Sequence, residues 1–177
     1  MSHNTIKAQA ENKLKIADHL LSTTYALVKD PKLLVSVIDA LYNAMDMSIN
    51  AILEFEMPEI AEKQLKSQAI SGHDQKHAFD KNFKTIEYKD NEKLEFFRRK
   101  IVTKYALAPE MVDFYAELKS TLETHRKSDV EFTKKEKFVI SDKEYNLKTL
   151  TYDDVKKKYA LAKSYVSQIF KIVEKYE

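Results

Sequence analysis

Two groups of side chains in this sequence have types and spacings that could do chemistry, and the first is a pair of histidines. His73 and His77 stand four residues apart, with Asp74 directly after the first and Asp80 beyond the second. One face of a helix could present both imidazoles to a metal ion. Zinc motifs of the His-Glu-x-x-His type need a Glu after the first His as general base, and Asp is one carbon shorter. We therefore favour a solvated loop and expect no metal and no cofactor.

The second group is a run of cations: His125, Arg126, Lys127, Lys134, Lys135 and Lys137. Phe132 and Phe138 are interleaved with them. Basic side chains hold phosphates and aromatic rings stack on bases, so the pattern predicts a weak nucleic-acid contact. The alternative is a solvated link between a helix and a hairpin. It is supported by Asp129, Glu131 and Glu136, which dilute the charge, and by the preference of helix C-termini for cations.

Catalysis has less support in the sequence. A chain without cysteine has no thiolate zinc site and no cysteine nucleophile, and a single glycine rules out phosphate-binding loops. His125 beside Arg126 would suit a ribonuclease, but no acid–base pair stands at a supportive spacing. Arg98 and Arg99 stand beside Phe97 and are expected to extend outward from it, with a phosphate contact as the alternative that their spacing leaves open. We predict no catalytic residues.

The elements that must position these groups are helices. The 177 residues include one glycine and three prolines, too few turn formers for a sandwich or barrel. The length suits one domain, residues 1–177. A net charge of +2 is too even for a protein whose whole surface binds nucleic acid.

Apolar residues recur at steps of three and four in five segments, which predicts an all-α, up-down bundle of four to five long helices. The expected helices run from about Thr5 to Val28, Pro31 to Met57, Asn91 to Leu107, Ala108 to Lys127, and Thr151 to Tyr176. In the first, the inward stripe is Ala10, Leu14, Ala17, Leu21, Thr24 and Val28.

Two segments interrupt the helical pattern. Pro58 is expected to end the second helix, and residues 58–91 then form a mobile excursion because their apolar residues are sparse. Residues 136–150 predict a small β-hairpin, in which two short strands flank Ser141-Asp142-Lys143-Glu144. Thr151-Tyr152-Asp153-Asp154 is a capping box that starts the last helix.

The second helix is apolar over most of its circumference. Beside its main stripe it has a second face with small residues: Ala40, Ala44, Met47 and Ala51. Either this face joins two copies in a homodimer, or the helix lies at the centre of the bundle. Its narrow polar stripe is Asp39, Asn43, Asp46, Asn50 and Glu54. We interpret that stripe as facing solvent, with a polar groove at a dimer seam as the alternative.

No run of ~18 uninterrupted apolar residues is present and the first residues lack an apolar signal core, so we expect no membrane contact and a cytoplasmic protein.

The paired long helices, the short Asp30-Pro31 link, Ile52-Leu53-Glu54-Phe55-Glu56 at the end of the second helix and the final amphipathic helix resemble HEPN domains. The resemblance covers residues 5–57 and 92–176, and similar patterns occur in small uncharacterised archaeal proteins. It implies a dimerising helical module that contacts RNA or a partner protein. The alternative is a diverged ribonuclease or toxin–antitoxin component. The family's ribonuclease motif, Arg followed by His after four to six residues, is absent at Arg98, Arg99 and Arg126, which favours a non-enzymatic member.

Overall fold

A computed structural model describes residues 3–70, 90–141 and 147–176. Within them the chain forms five helices and one three-stranded sheet. The helices are α1 (residues 3–28), α2 (Leu33–Ile70), α3 (residues 90–105), α4 (Glu110–Arg126) and α5 (Tyr152–Tyr176). The strands, which lie between α4 and α5, are β1 (Val130–Lys134), β2 (Lys137–Ser141) and β3 (Leu147–Thr151). The prediction of a mainly helical fold with a small β element before the last helix is confirmed.

Helix α2 is the centre of the structure. Helices α1, α4 and α5 all pack on it, and α3 contacts it through its middle part. Both apolar faces predicted for α2 are used in this way, and the buried apolar side chains of the described residues form one core. Because neighbours surround α2, its sequence is apolar over most of its circumference.

Helix α2 does not end at Pro58, and that prediction is wrong: the helix continues to Ile70. A proline inside a helix removes one backbone donor and crowds the carbonyl four residues earlier, which weakens or kinks the helix without always ending it. The rest of the predicted excursion, residues 71–89 with His73 and His77, lies outside the described residues.

Two helices contain π-helical turns, Leu20–Thr24 in α1 and Phe97–Val102 in α3. A π turn holds one residue more than an α turn, so it shifts the faces of the helix that follows. In α1 the predicted inward stripe holds as far as Leu21. Beyond the turn Tyr25 is buried instead of Thr24, and Val28 is exposed.

The β element is a three-stranded antiparallel sheet with β2 in the middle, rather than the predicted two-stranded hairpin. The predicted link before the hairpin forms β1, and the last strand starts later than expected, at Leu147. In the observed register Phe138 pairs with Leu150. This pairing buries Phe138 with Leu150, whereas Leu147, which would face Phe138 across a turn of residues 141–144, is 64% exposed.

The sheet is fixed to the end of α4 by polar contacts. Ser128 Oγ donates to the carbonyl oxygens of Val130 at 3.0 Å and Ser141 at 2.9 Å. Lys148 Nζ, on β3, donates to Ser120 Oγ at 2.7 Å. The sheet therefore buries one face against the helices and leaves the other face outward.

The predicted capping box starts α5. Thr151 Oγ1 accepts the backbone N–H of Asp154 at 3.3 Å and donates to its carboxylate at 2.7 Å. At the α1–α2 link the Asp30 carboxylate accepts the N–H of Lys32 at 3.0 Å. Among the described residues no helix is long and apolar enough to cross a membrane.

Candidate nucleic-acid interface

Three of the predicted basic residues meet at the β1–β2 turn. Lys134 and Lys137 are directly opposite each other across the two strands, and Lys135 occupies the turn with a φ of 57°. All three are exposed, and no carboxylate of the described residues forms an ion pair with them. Like charges directly opposite in a sheet repel each other, which favours a bound anion, whereas the exposed Glu136, the other residue of the turn, offsets one of the three charges.

The outward face of the sheet carries an exposed aromatic ring. Side chains alternate along a strand, so Phe132 and Lys134 share this face with Lys137 and Val139 on β2. Val139, directly opposite Phe132, is only 7% exposed. Phe132 is 41% exposed, whereas Phe138 is 2% exposed and belongs to the core. Only Phe132 is available to stack on a base, and the sequence could not distinguish the two rings.

The acidic residue in the middle of β1, Glu131, does not lie on the outward face. Glu131 lies on the opposite, inward face, where its carboxylate contacts Nδ1 of His125. The acidic residue predicted to dilute the charge of this strand therefore contacts a histidine ring on the helix side. The outward face keeps the lysines and Phe132, together with Thr149, which is paired with Val139.

The predicted cluster of six cations is divided in two by the structure. His125, Arg126 and Lys127 lie at the start of β1, whereas the three lysines lie at its far end, about 13 Å along the strand. Lys137 instead has Lys29 as a neighbour, since both line one shallow cleft with Tyr152. Glu136 and Asp153 line the same cleft and balance the two lysines there. Lys29 carried no signal in the sequence because tertiary packing alone brings the end of α1 to the sheet.

His125 and Arg126 line a separate cleft of about 480 Å³ near α1 and α2. Lys13 and Asp39 also line it. A carboxylate that contacts a histidine ring fixes its orientation, so the Glu131–His125 pair could hold an imidazole ready for proton transfer.

The alanine face of α2 is covered within a single chain. Ala40, Ala44 and Ala51 are 4%, 0% and 0% exposed, and Met47 is partly buried against the core. These residues offer almost no surface to a second copy. The structure therefore supports the central-helix interpretation over the dimer-face prediction for these four residues.

The polar stripe of α2 is half-buried up to Asn50 and only Glu54 is exposed, so the solvent-facing interpretation needs correction. Asp46 Oδ1 accepts hydrogen bonds from Lys93 Nζ at 2.7 Å and from Tyr115 Oη at 2.6 Å. Burial raises the pKa of Tyr115, and its bond to Asp46 raises it further. Asp46 thus joins α2 to α3 and α4, whereas the side-chain hydrogen bonds that the two asparagines of the stripe donate stay within α2, to its two aspartates.

Glu56 is a buried carboxylate that the sequence did not single out, with an exposed fraction of 3%. Lys104 Nζ contacts both of its oxygens, at 2.9 and 2.8 Å, and the Tyr105 hydroxyl donates to it. Burial and then this bond raise the pKa of Tyr105 to about 12. The group ties the end of α3 to α2, and it has the partners that a buried charge requires.

The remaining candidates carry no site in the described residues. Arg98 pairs with Asp113 at 2.6 Å and Arg99 with Glu95, as expected for side chains that extend outward. Within the ranges described, no group of three or more His, Asp or Glu side chains is arranged to hold a metal ion. The His73 and His77 pair is not among those residues.

No model of a known protein family matches this chain. No curated protein and no solved structure matches it significantly. The function is therefore inferred from the geometry of its own side chains.

Proposed function

We propose that this protein is a non-enzymatic helical module that binds single-stranded RNA on the outward face of its sheet. The observation that carries the proposal is the exposed Phe132 on the same face as Lys134 and Lys137, two lysines that lack an ion pair among the described residues. A base would stack on the ring, and phosphates would lie against the ammonium groups. Stacking on Phe132 together with phosphate contacts gives affinity without sequence preference.

The number of lysines sets the expected salt dependence. Three phosphate contacts on a single strand give a slope of about −2 in a plot of log affinity against log salt. Affinity for a labelled 12-mer of uridine should therefore fall by roughly 15-fold between 50 and 200 mM salt. Fluorescence anisotropy measures this directly.

Replacing Lys134, Lys135 and Lys137 with glutamate should abolish binding of the same 12-mer. A matched control replaces Lys100, Lys163 and Lys171 with glutamate, which changes the net charge equally at sites away from the sheet. Phe132→Ala should weaken binding by about tenfold at constant charge, whereas Phe132→Tyr should retain it. Unchanged binding in the hairpin triple variant would exclude this site. A wild-type protein that does not bind RNA but binds an acidic protein would favour the alternative in which the partner is a protein.

A ribonuclease is the second candidate, and the contact between His125 and Glu131 favours it. His125 would take the proton of a ribose 2′-hydroxyl, and Arg126 would stabilise charge on the phosphate. Under the primary proposal the labelled 12-mer stays intact over hours on a denaturing gel. Cleavage that is lost in His125→Ala and retained in His19→Ala would establish the enzyme instead.

We also propose that the chain is related to HEPN domains, with a toxin–antitoxin component as the alternative. The antiparallel α1–α2 pair and its short link at Asp30 support it. Homodimerisation also stays a prediction, without an assigned face. Light scattering at micromolar concentration tests it, and a monomer would exclude it.

A further inference from the structure

A cleft of about 690 Å³ opens between α1 and α5, on a part of the molecule that the proposed RNA contact does not use. Both helices pack mainly on α2 and only secondarily on each other. The opening between them therefore follows from the way they share the central helix. Its size falls within the range of small-molecule sites, roughly 300 to 1,000 Å³.

The floor of this cleft is apolar. It is formed by Leu14 from α1 and by Val166 and Phe170 from α5, all three buried. Because only 2 to 8% of each of these side chains is exposed, a ligand with an apolar body would gain mainly van der Waals contact with them and little from the removal of surface from water.

The two ends of the cleft are marked by polar pairs that join the helices. Lys7 Nζ bonds to the Glu174 carboxylate at one end. At the other end Asp18 lies beside Tyr159, whose pKa is raised by burial and by this carboxylate. Lys7 and Asp18 are about 16 Å apart along α1, enough for an extended chain of about ten carbons.

The walls between these ends are basic. Lys15, Lys163 and Lys171 line the cleft, and none of them forms an ion pair with a carboxylate of the described residues. The acidic residues of the cleft are already engaged: Glu11 and Glu174 face Lys7, and Asp18 faces Tyr159. The lining as a whole holds four lysines and three carboxylates, a net charge of +1, and the three lysines that form no ion pair among the described residues favour an anion.

A backbone feature coincides with the cleft. Ser22 and Thr23 line it, and both belong to the π-helical turn of α1. Single π turns inside α-helices occur frequently at functional sites, where they change which side chains face a ligand. This turn is a second reason to regard the cleft as a site.

We propose that the α1–α5 cleft binds a small amphipathic monoanion of the medium-chain carboxylate class. The apolar chain lies over Leu14, Val166 and Phe170, and the carboxylate lies between Lys15 and Lys163. This ligand matches the length, the apolar floor and the charge of the cleft. The site is independent of the RNA contact.

The test uses the full chain and two fluorescent probes of similar shape. Anilinonaphthalene sulfonate carries one negative charge, and N-phenyl-1-naphthylamine is uncharged. We expect the anionic probe to bind with one site per chain and to be displaced by decanoate. The uncharged probe should bind more weakly by about tenfold, because it lacks the contact with the lysines.

Two variants separate the charge from the shape of the cleft. Lys15→Gln with Lys163→Gln should weaken decanoate binding by about tenfold. Ser167→Trp fills the cleft without a change of charge and should weaken both probes. The matched control is Lys13→Gln with Lys157→Gln, on the same two helices outside the cleft, and it should bind as the wild type does. Circular dichroism verifies that each variant is folded.

Each other outcome overturns the proposal. No saturable binding of the anionic probe to the wild type excludes the site. Equal loss of decanoate binding in the matched control means that the lysines act only through net charge. If the anionic probe still binds to Ser167→Trp, its site lies outside the cleft. If decanoate binds equally well after the Lys15 and Lys163 changes, the cleft recognises an apolar ligand instead of an anion.

Discussion

Replacing Ala44 with glutamate should lower the free energy of unfolding by about 4 kcal/mol or more. Ala44 is fully buried in α2, the helix on which three others pack. The new carboxylate would lie in the core without a partner, and its volume would force the helices apart. Because whole domains are stable by only about 5 to 15 kcal/mol, this loss would remove a large fraction of the stability and shift the unfolding transition to much lower urea concentration.

Urea unfolding followed by circular dichroism measures the Ala44→Glu effect. Ser36→Glu is the matched control, because Ser36 is exposed on the same helix and receives the same side chain. Its cost should stay within about 0.5 kcal/mol. A dimeric wild type that Ala44→Glu converts into folded monomers would contradict the burial argument and restore the dimer face on α2.

Replacing Asp46 with alanine should lower the free energy of unfolding by about 3 kcal/mol. Asp46 accepts hydrogen bonds from Tyr115, which is 2% exposed, and from Lys93, whose side chain is 12% exposed. Removal of the carboxylate leaves the partly buried ammonium group without its ion pair, and the buried Tyr115 hydroxyl keeps only the 3.2 Å bond to Tyr42.

The matched control for Asp46 lies on the same stripe of α2. Asp39 also bonds to an asparagine four residues later, but among the described residues it accepts no hydrogen bond from another helix. Asp39→Ala should therefore cost less than about 1 kcal/mol. Equal costs for the two variants in urea unfolding would show that the bonds to α3 and α4 add nothing.

The second helix shows where sequence reasoning reaches its limit. Two apolar faces were evident from the spacing of Ala40, Ala44 and Ala51 against Leu41 and Met45. Spacing indicates that a face is buried. The same spacing is expected whether that face packs against another helix of the same chain or against a second copy of the chain. Only the packing of α1, α4 and α5 around α2 assigns the burial to the single chain.

The sequence likewise could not show which of two similar side chains is exposed. Phe132 and Phe138 have the same side chain and stand among the same lysines. Their difference comes from strand alternation, which was not evident while residues 130–134 were interpreted as a link. Glu131 diluted a basic run in the sequence, whereas in the structure it faces His125 on the other side of the sheet.

What the sequence determined by itself was local. Helix periodicity, the capping box at Thr151 and the low glycine content define the helices and the β element before α5, because these depend on residues within a few positions. Only the structure showed the π turns, the third strand, the meeting of Lys29 with Lys137 and the α1–α5 cleft. β1 pairs with β2 across a two-residue turn, so that strand is local although no alternation predicted it. The meeting of Lys29 with Lys137 and the α1–α5 cleft depend on residues far apart in the chain, and one-dimensional spacing contains no information about such contacts.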